Sequence, residues 1–98
     1  MRGINKVIIS GNVGGNITFG PTPGGTDACS FQVASDRHTQ SGMITAWVKI
    51  NAYGENLVRL CRGRLAKGQY VIVEGELMNR DGVHGELTEV RAREVIFI

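Results

Sequence analysis

From Met43 to Tyr53 the chain alternates with a period of two. The even positions Ala46, Val48, Ile50 and Ala52 are all apolar, whereas the odd positions Thr45, Trp47, Lys49, Asn51 and Tyr53 carry two aromatics with a lysine and an amide between them. A helix would scatter these residues around its surface. A strand sends them to opposite faces. The segment is therefore read as a β-strand with a small aliphatic face suited to a core and a second face of rings and polar groups.

The flanking sequence is punctuated for β structure. An apolar run, Ile4 to Ser10, reads as a strand ending at Gly11, and the glycine- and proline-rich stretch Gly11–Gly25 reads as turns with one short extended piece, Ile17–Phe19. From Ala28 to Ser35, Cys29, Phe31 and Val33 alternate with Ser30 and Gln32, the pattern of a half-buried strand. Asp36–Gly42 is polar and is expected to be a loop. After Gly54, the spacing of Leu57, Leu60, Cys61 and Leu65 predicts a helix over 55–66, weakened by Gly63 and ended by Gly68. Tyr70–Met78 alternates again, with Val71, Val73 and Leu77 on one face. Asp81-Gly82 is a hairpin signal, and Leu87–Ile98 is a final strand whose imperfect alternation implies a bend or bulge.

The order is three strands, one helix and two strands. This fits an all-β chain with one helix: an OB-fold, the five-stranded Greek-key barrel with an α-helix between strands 3 and 4. The 98 residues suffice for one domain spanning 1–98, with no linker, repeat or low-complexity segment. Glycine, at 14 residues, is about twice its usual share, which suits short strands joined by tight turns.

Composition narrows the function classes. Cys29 and Cys61 form no CxxC, and His38 and His84 stand apart, so no metal site or cofactor is expected and the cysteines are read as small buried hydrophobes. No apolar stretch approaches a membrane span, and charge and glycine break up the N-terminus too early for a signal peptide. The expected location is the cytoplasm. The net charge of +2 says little about partners. Its placement says more: residues 1–49 hold Arg2, Lys6, Arg37 and Lys49 against Asp27 and Asp36, whereas residues 50–98 are balanced.

The polar face of the 43–53 strand has two physical readings. Trp47 and Tyr53 as stacking platforms for unpaired bases, with Lys49 on the intervening phosphate, would bind single-stranded nucleic acid without reading its sequence. Alternatively, the rings cap a core or a subunit interface.

Several segments carry a family resemblance. Arg2-Gly3-Ile4-Asn5-Lys6-Val7-Ile8-Ile9-Ser10-Gly11-Asn12-Val13-Gly14, Trp47 through Tyr53-Gly54, Leu65-Ala66-Lys67-Gly68 followed by Val71-Ile72-Val73-Glu74-Gly75-Glu76-Leu77, and Thr88-Glu89-Val90 occur in the order and spacing of the bacterial single-stranded DNA-binding protein family. The chain resembles that family over nearly its whole length. The resemblance implies an OB-fold, sequence-tolerant binding of single-stranded DNA, homotetramers with strand one pairing across an interface, and roles in replication, recombination and repair. Carried over by position, it implies base stacking at Trp47 and Tyr53, and basic positions near the DNA at Arg2, Lys6, Lys49 and Arg80. Arg37 stands where relatives often place an aromatic, and Asn51 completes the expected nucleic-acid-binding set. Two departures are evident: the loops after strands two and four carry no tryptophan and look short, and the sequence stops at Ile98 without the family's acidic-tipped tail. A phage, plasmid or otherwise specialised tail-less version fits this pattern, and tail-mediated recruitment of other proteins is not expected.

Other motifs carry less. Gly11–Gly15 lacks the spacing of a dinucleotide loop. No nucleophile motif appears, so no catalytic residue is assigned and the chain is not expected to be an enzyme. Glu74 and Glu76 are read as a solvated pair facing Arg91 or Arg93, and Arg59, Arg62, Arg64 and Lys67 as a solvated helix face rather than a second phosphate path. The rival function is a primosomal protein N-like dimer that uses its OB surface to contact another replication protein.

Overall fold

A computed structural model describes residues 2–98. Its elements are β1 (Val7–Val13), β2 (Thr18–Pro21), β3 (Asp27–Thr39), β4 (Gly42–Tyr53), α1 (Glu55–Arg64), β5 (Tyr70–Gly82) and β6 (Gly85–Phe97). The sheet runs β1-β5-β6-β4-β3-β2, and an additional β1–β3 pairing, Asn12↔Ala34 and Val13↔Val33, closes five of the strands into a barrel. β4 and β6 pair in parallel and the other neighbours antiparallel. The barrel matches the expected OB architecture. Counting the short extended piece as β2 places the helix between β4 and β5.

The core follows the alternation. Cys29, Phe31 and Val33 of β3, Ile50 and Ala52 of β4, and Val71 and Val73 of β5 are all buried. The imperfect pattern of β6 has a local cause: between the pairs Glu74↔Glu94 and Gly75↔Ala92 the register slips by one residue. Val90 and Ala92 face inward before this bulge, and Val95 after it. A one-residue insertion flips every later side chain to the other face. Gly75 is required there, because a Cβ would stand 2.0 Å from the Arg91 carbonyl oxygen.

Several expectations are corrected. β1 starts at Val7 and runs through Gly11 to Val13, so Gly11 does not end it. Its missing Cβ lets the Ala34 carbonyl approach, since a Cβ would lie 2.1 Å from that oxygen. Asp36–Thr39 is not a loop: β3 and β4 stay paired to Thr39↔Gly42 and turn over two residues. Likewise β5 and β6 pair out to Gly82↔Gly85, one step beyond the expected turn. The two connections thought short are long hairpin arms. Both faces of an arm meet solvent, so its strands need no hydrophobic alternation, and the stretches 36–39 and 79–82 read as loop and turn.

The helix ends at Arg64 with an extended Leu65, ahead of Gly68, which instead supplies a positive φ of 87° in the turn before β5. Its buried residues are Val58 and Cys61, while Leu60 is exposed. Leu77, expected inside, is also exposed, because β5 has left the barrel for its arm by that point. Cys29 and Cys61 are free and buried, as read. A hydrogen bond to Cys61, reinforced by burial, pushes the Cys29 thiol well above its ordinary range. No helix among the described residues is long and apolar enough to cross a membrane.

Candidate nucleic-acid interface

The unbroken β3–β4 register builds the site. Opposite Trp47, Lys49, Asn51 and Tyr53 stand Ala34, Gln32, Ser30 and Ala28. These partners are small or polar, so the rings and amine of β4 rise above a low floor. β2 extends that floor through Thr18↔Ser30 and Gly20↔Ala28. Between β2 and β4 runs a groove of about 330 Å³, lined among others by Thr18, Phe19, Lys49, Asn51, Tyr53 and Arg80.

Trp47 stands just beyond the groove on the same ladder face and is 60% exposed, more than a core-capping ring would be. Tyr53 lies six positions further on, about 20 Å along an extended strand, so the two rings can serve different bases. Trp47 is seated against Gly14: a Cβ there would lie 3.2 Å from the ring carbon Cζ3. Tyr53 is half-buried, and the Arg91 guanidinium lies 5.3 Å from its ring centroid. This cation–π contact covers part of the ring.

Beneath the groove lies a buried carboxylate, Glu89 of β6, only 4% exposed. Arg80 of β5 forks onto it, donating from Nε to Oε1 and from Nη2 to Oε2, both at 3.0 Å. Asn51 Nδ2 donates to Oε1 at 2.8 Å, and Lys49 Nζ lies 3.7 Å from Oε2. Burial alone would push the Glu89 carboxyl up. The hydrogen bonds from Arg80 and Asn51 and the charges of Lys49 and Arg80 outweigh it and hold the carboxyl below its ordinary range. Glu89 in turn raises the Arg80 guanidinium, first through the hydrogen bond and then through its charge.

Lys49, Asn51, Tyr53 and Arg80 thus meet at one groove, with Trp47 on the same face. The other expected positions do not join them. Arg37 pairs with Ile44, three residues from Trp47, and so projects from the opposite face of the arm. It is His38, opposite Met43, that shares the Trp47 face. Arg2 and Lys6 are exposed residues preceding β1. The intervening Asn5 is tied to β5, donating to the Leu77 carbonyl at 2.9 Å and accepting from its N–H at 2.8 Å. Neither Arg2 nor Lys6 lines the groove. Asn51 lines the groove but is buried, and its amide N–H is engaged by Glu89.

Sequence reasoning missed Glu89 and Arg91. Both lie on the strand whose alternation the bulge interrupts, so their facing was not readable. Elsewhere, Arg93 pairs with Glu76 at 3.1 Å, as read for that member of the acidic pair. The helix arginines are engaged at the surface: Arg59 with Glu55, Arg62 over Phe19 and Arg64 over Phe97. No group of three or more potential metal ligands occurs among the described residues.

Known proteins are similar to the chain in architecture and in sequence. The family described as "Single-strand binding protein family" matches residues 4–98. Single-stranded DNA-binding protein 2 of Chlorobaculum tepidum is 32% identical over a gapped alignment of 109 positions, covering 100% of this chain and 73% of the relative. The single-stranded DNA-binding protein of Xanthomonas campestris pv. campestris is 33% identical over 104, covering 96% of this chain and 60% of the relative. Among solved structures, a Plasmodium falciparum SSB complex with ssDNA superposes with a TM-score of 0.86 at 25% identity, covering 100% of this chain and 97% of that one. A deletion mutant of the Thermus aquaticus single-stranded DNA-binding protein superposes at 0.84 and 24% identity, covering 99% and 51%.

Proposed function

The chain belongs to the single-strand binding protein family, and from that premise we propose that it binds single-stranded DNA across the β4 face without reading its sequence. Bases stack on Trp47 and Tyr53, and phosphates meet Lys49 and Arg80 in the groove. Base–aromatic stacking in proteins of this kind is worth about 1–3 kcal/mol per base. Arg2, Lys6 and Arg37 serve a strand that continues beyond the groove. Their separation from it suits a wrapped path better than a single short contact.

One observation carries this reading: an exposed tryptophan and a groove-lining tyrosine on one ladder face, with Lys49 between them. The chemistry requires no catalytic step and no cofactor. The protein works in the cytoplasm beside DNA, in replication, recombination and repair, as a homo-oligomer. A tetramer is the expected state, with a dimer as the alternative. The edge of β1 over Val7–Gly11 has no strand on its far side among the described residues, and Ile8, Tyr70, Ile96 and Ile98 are exposed. Both features favour pairing between copies, and mass in solution measures the state.

Trp47 is the single tryptophan, so its fluorescence tests the proposal. Titration with oligo-dT at several salt concentrations should quench it, with log affinity falling by about 0.7 per neutralised phosphate per decade of salt. Absence of both quenching and binding would overturn the proposal and favour a protein-docking role for the same face.

A further inference from the structure

We infer that Glu89 is a built-in counter-anion of the groove, which holds Arg80 and Lys49 over it while cancelling half of their charge. The inference rests on the single-strand-binding reading and deepens it by explaining how the groove's affinity is limited.

The groove's two cations, Lys49 and Arg80, share one carboxylate that solvent scarcely reaches. Glu89 lies on β6, behind the groove lining, so an incoming phosphate cannot take its place. The fork from Arg80 uses Nε and Nη2 and leaves Nη1 free to donate elsewhere. Lys49 makes a charge contact at 3.7 Å, too long for a hydrogen bond, and keeps its three N–H donors. Both side chains remain substantially exposed, at 38% and 44%. They are therefore positioned by Glu89 without being consumed by it. Together the three charges sum to +1 where the cations alone would present +2. A phosphate entering the groove releases fewer counterions than the basic residues would suggest, and it leaves more readily.

Glu89 is thus a positioning residue, and the salt dependence of binding reads its role. Glu89→Gln keeps an acceptor for Asn51 and removes the charge. Its affinity for oligo-dT should be tighter at low salt, and its salt slope steeper by up to about 0.7, the increment for one more neutralised phosphate. Arg80→Gln should bind more weakly with a shallower slope, because Glu89 then cancels Lys49. The double variant Glu89→Gln/Arg80→Gln restores a groove charge of +1 and should recover affinity and slope toward wild type. It carries no uncompensated buried charge, so it reads the same question should Glu89→Gln alone fail to fold. A merely structural Glu89 would give no such rescue. An unchanged slope in folded Glu89→Gln, or a double variant weaker than Arg80→Gln alone, overturns the inference. If wild type binds normally in those cases, the binding proposal survives. If wild type does not bind at all, the binding proposal fails and takes this inference with it.

Discussion

The indole of Trp47 rests on Gly14, close enough that a Cβ on residue 14 would stand 3.2 Å from the ring. The ring gives by a few tenths of an ångström for a methyl and by much more for a branched side chain. Gly14→Ala is expected to keep the fold and shift the Trp47 emission slightly. Gly14→Val should move the ring, change its emission clearly, and weaken oligo-dT binding by part of one stacking contact, about 1 kcal/mol. Emission spectra and titrations of the two variants, beside a thermal melt, check this. Identical emission in wild type and Gly14→Val would show that the ring is held from elsewhere.

The second ring has a different support. Arg91 lies over Tyr53, so its effect on binding runs partly through that ring. Tyr53→Leu is expected to cost about 1–3 kcal/mol of affinity for single-stranded DNA. Arg91→Gln should cost measurably in the wild-type background and less in the Tyr53→Leu background. A cycle of the four proteins gives the coupling, and a coupling of zero would reduce Arg91 to an independent surface charge.

Glycine substitutions separate close approach from open space. Gly75→Ala drives a Cβ into the Arg91 carbonyl and is expected to cost on the order of 3 kcal/mol, lowering Tm by at least about 12 °C. Gly63→Ala, in α1 with no heavy atom within 4 Å of the added Cβ, should instead stabilise by about 1 kcal/mol. Differential scanning calorimetry resolves both. A tolerated Gly75→Ala would mean that the β5–β6 bulge relaxes easily.

Acid sensitivity follows from Glu89. The folded state favours its ionised form, so its contribution to stability is fully present above the unfolded-state value near 4.5. The contribution is lost as pH falls below that through the lower folded-state value. Wild type should lose thermal stability in this window more steeply than Glu89→Gln does. Melts at stepped pH measure the difference, and parallel curves for the two proteins would contradict the assignment.

The uninterrupted alternation of 28–35 and 45–53 was enough to identify the barrel strands and the face that bears Trp47, Lys49 and Tyr53. A strand buried on one side must keep its hydrophobic period, so its sequence records its facing. The hairpin arms carry no such record, because solvent on both faces leaves Arg37 and His38 free of any hydrophobic constraint. Only the cross-strand register shows that His38, rather than Arg37, lies on the Trp47 side. Glu89 was hidden for a different reason. The bulge opposite Gly75 shifts the inward parity of β6, and the partners of Glu89 come from β4 and β5, 38 and 9 residues away in the chain. Local sequence specifies period and turn chemistry. Which charges meet across the barrel depends on strand order and register, and those are settled only when distant segments pack.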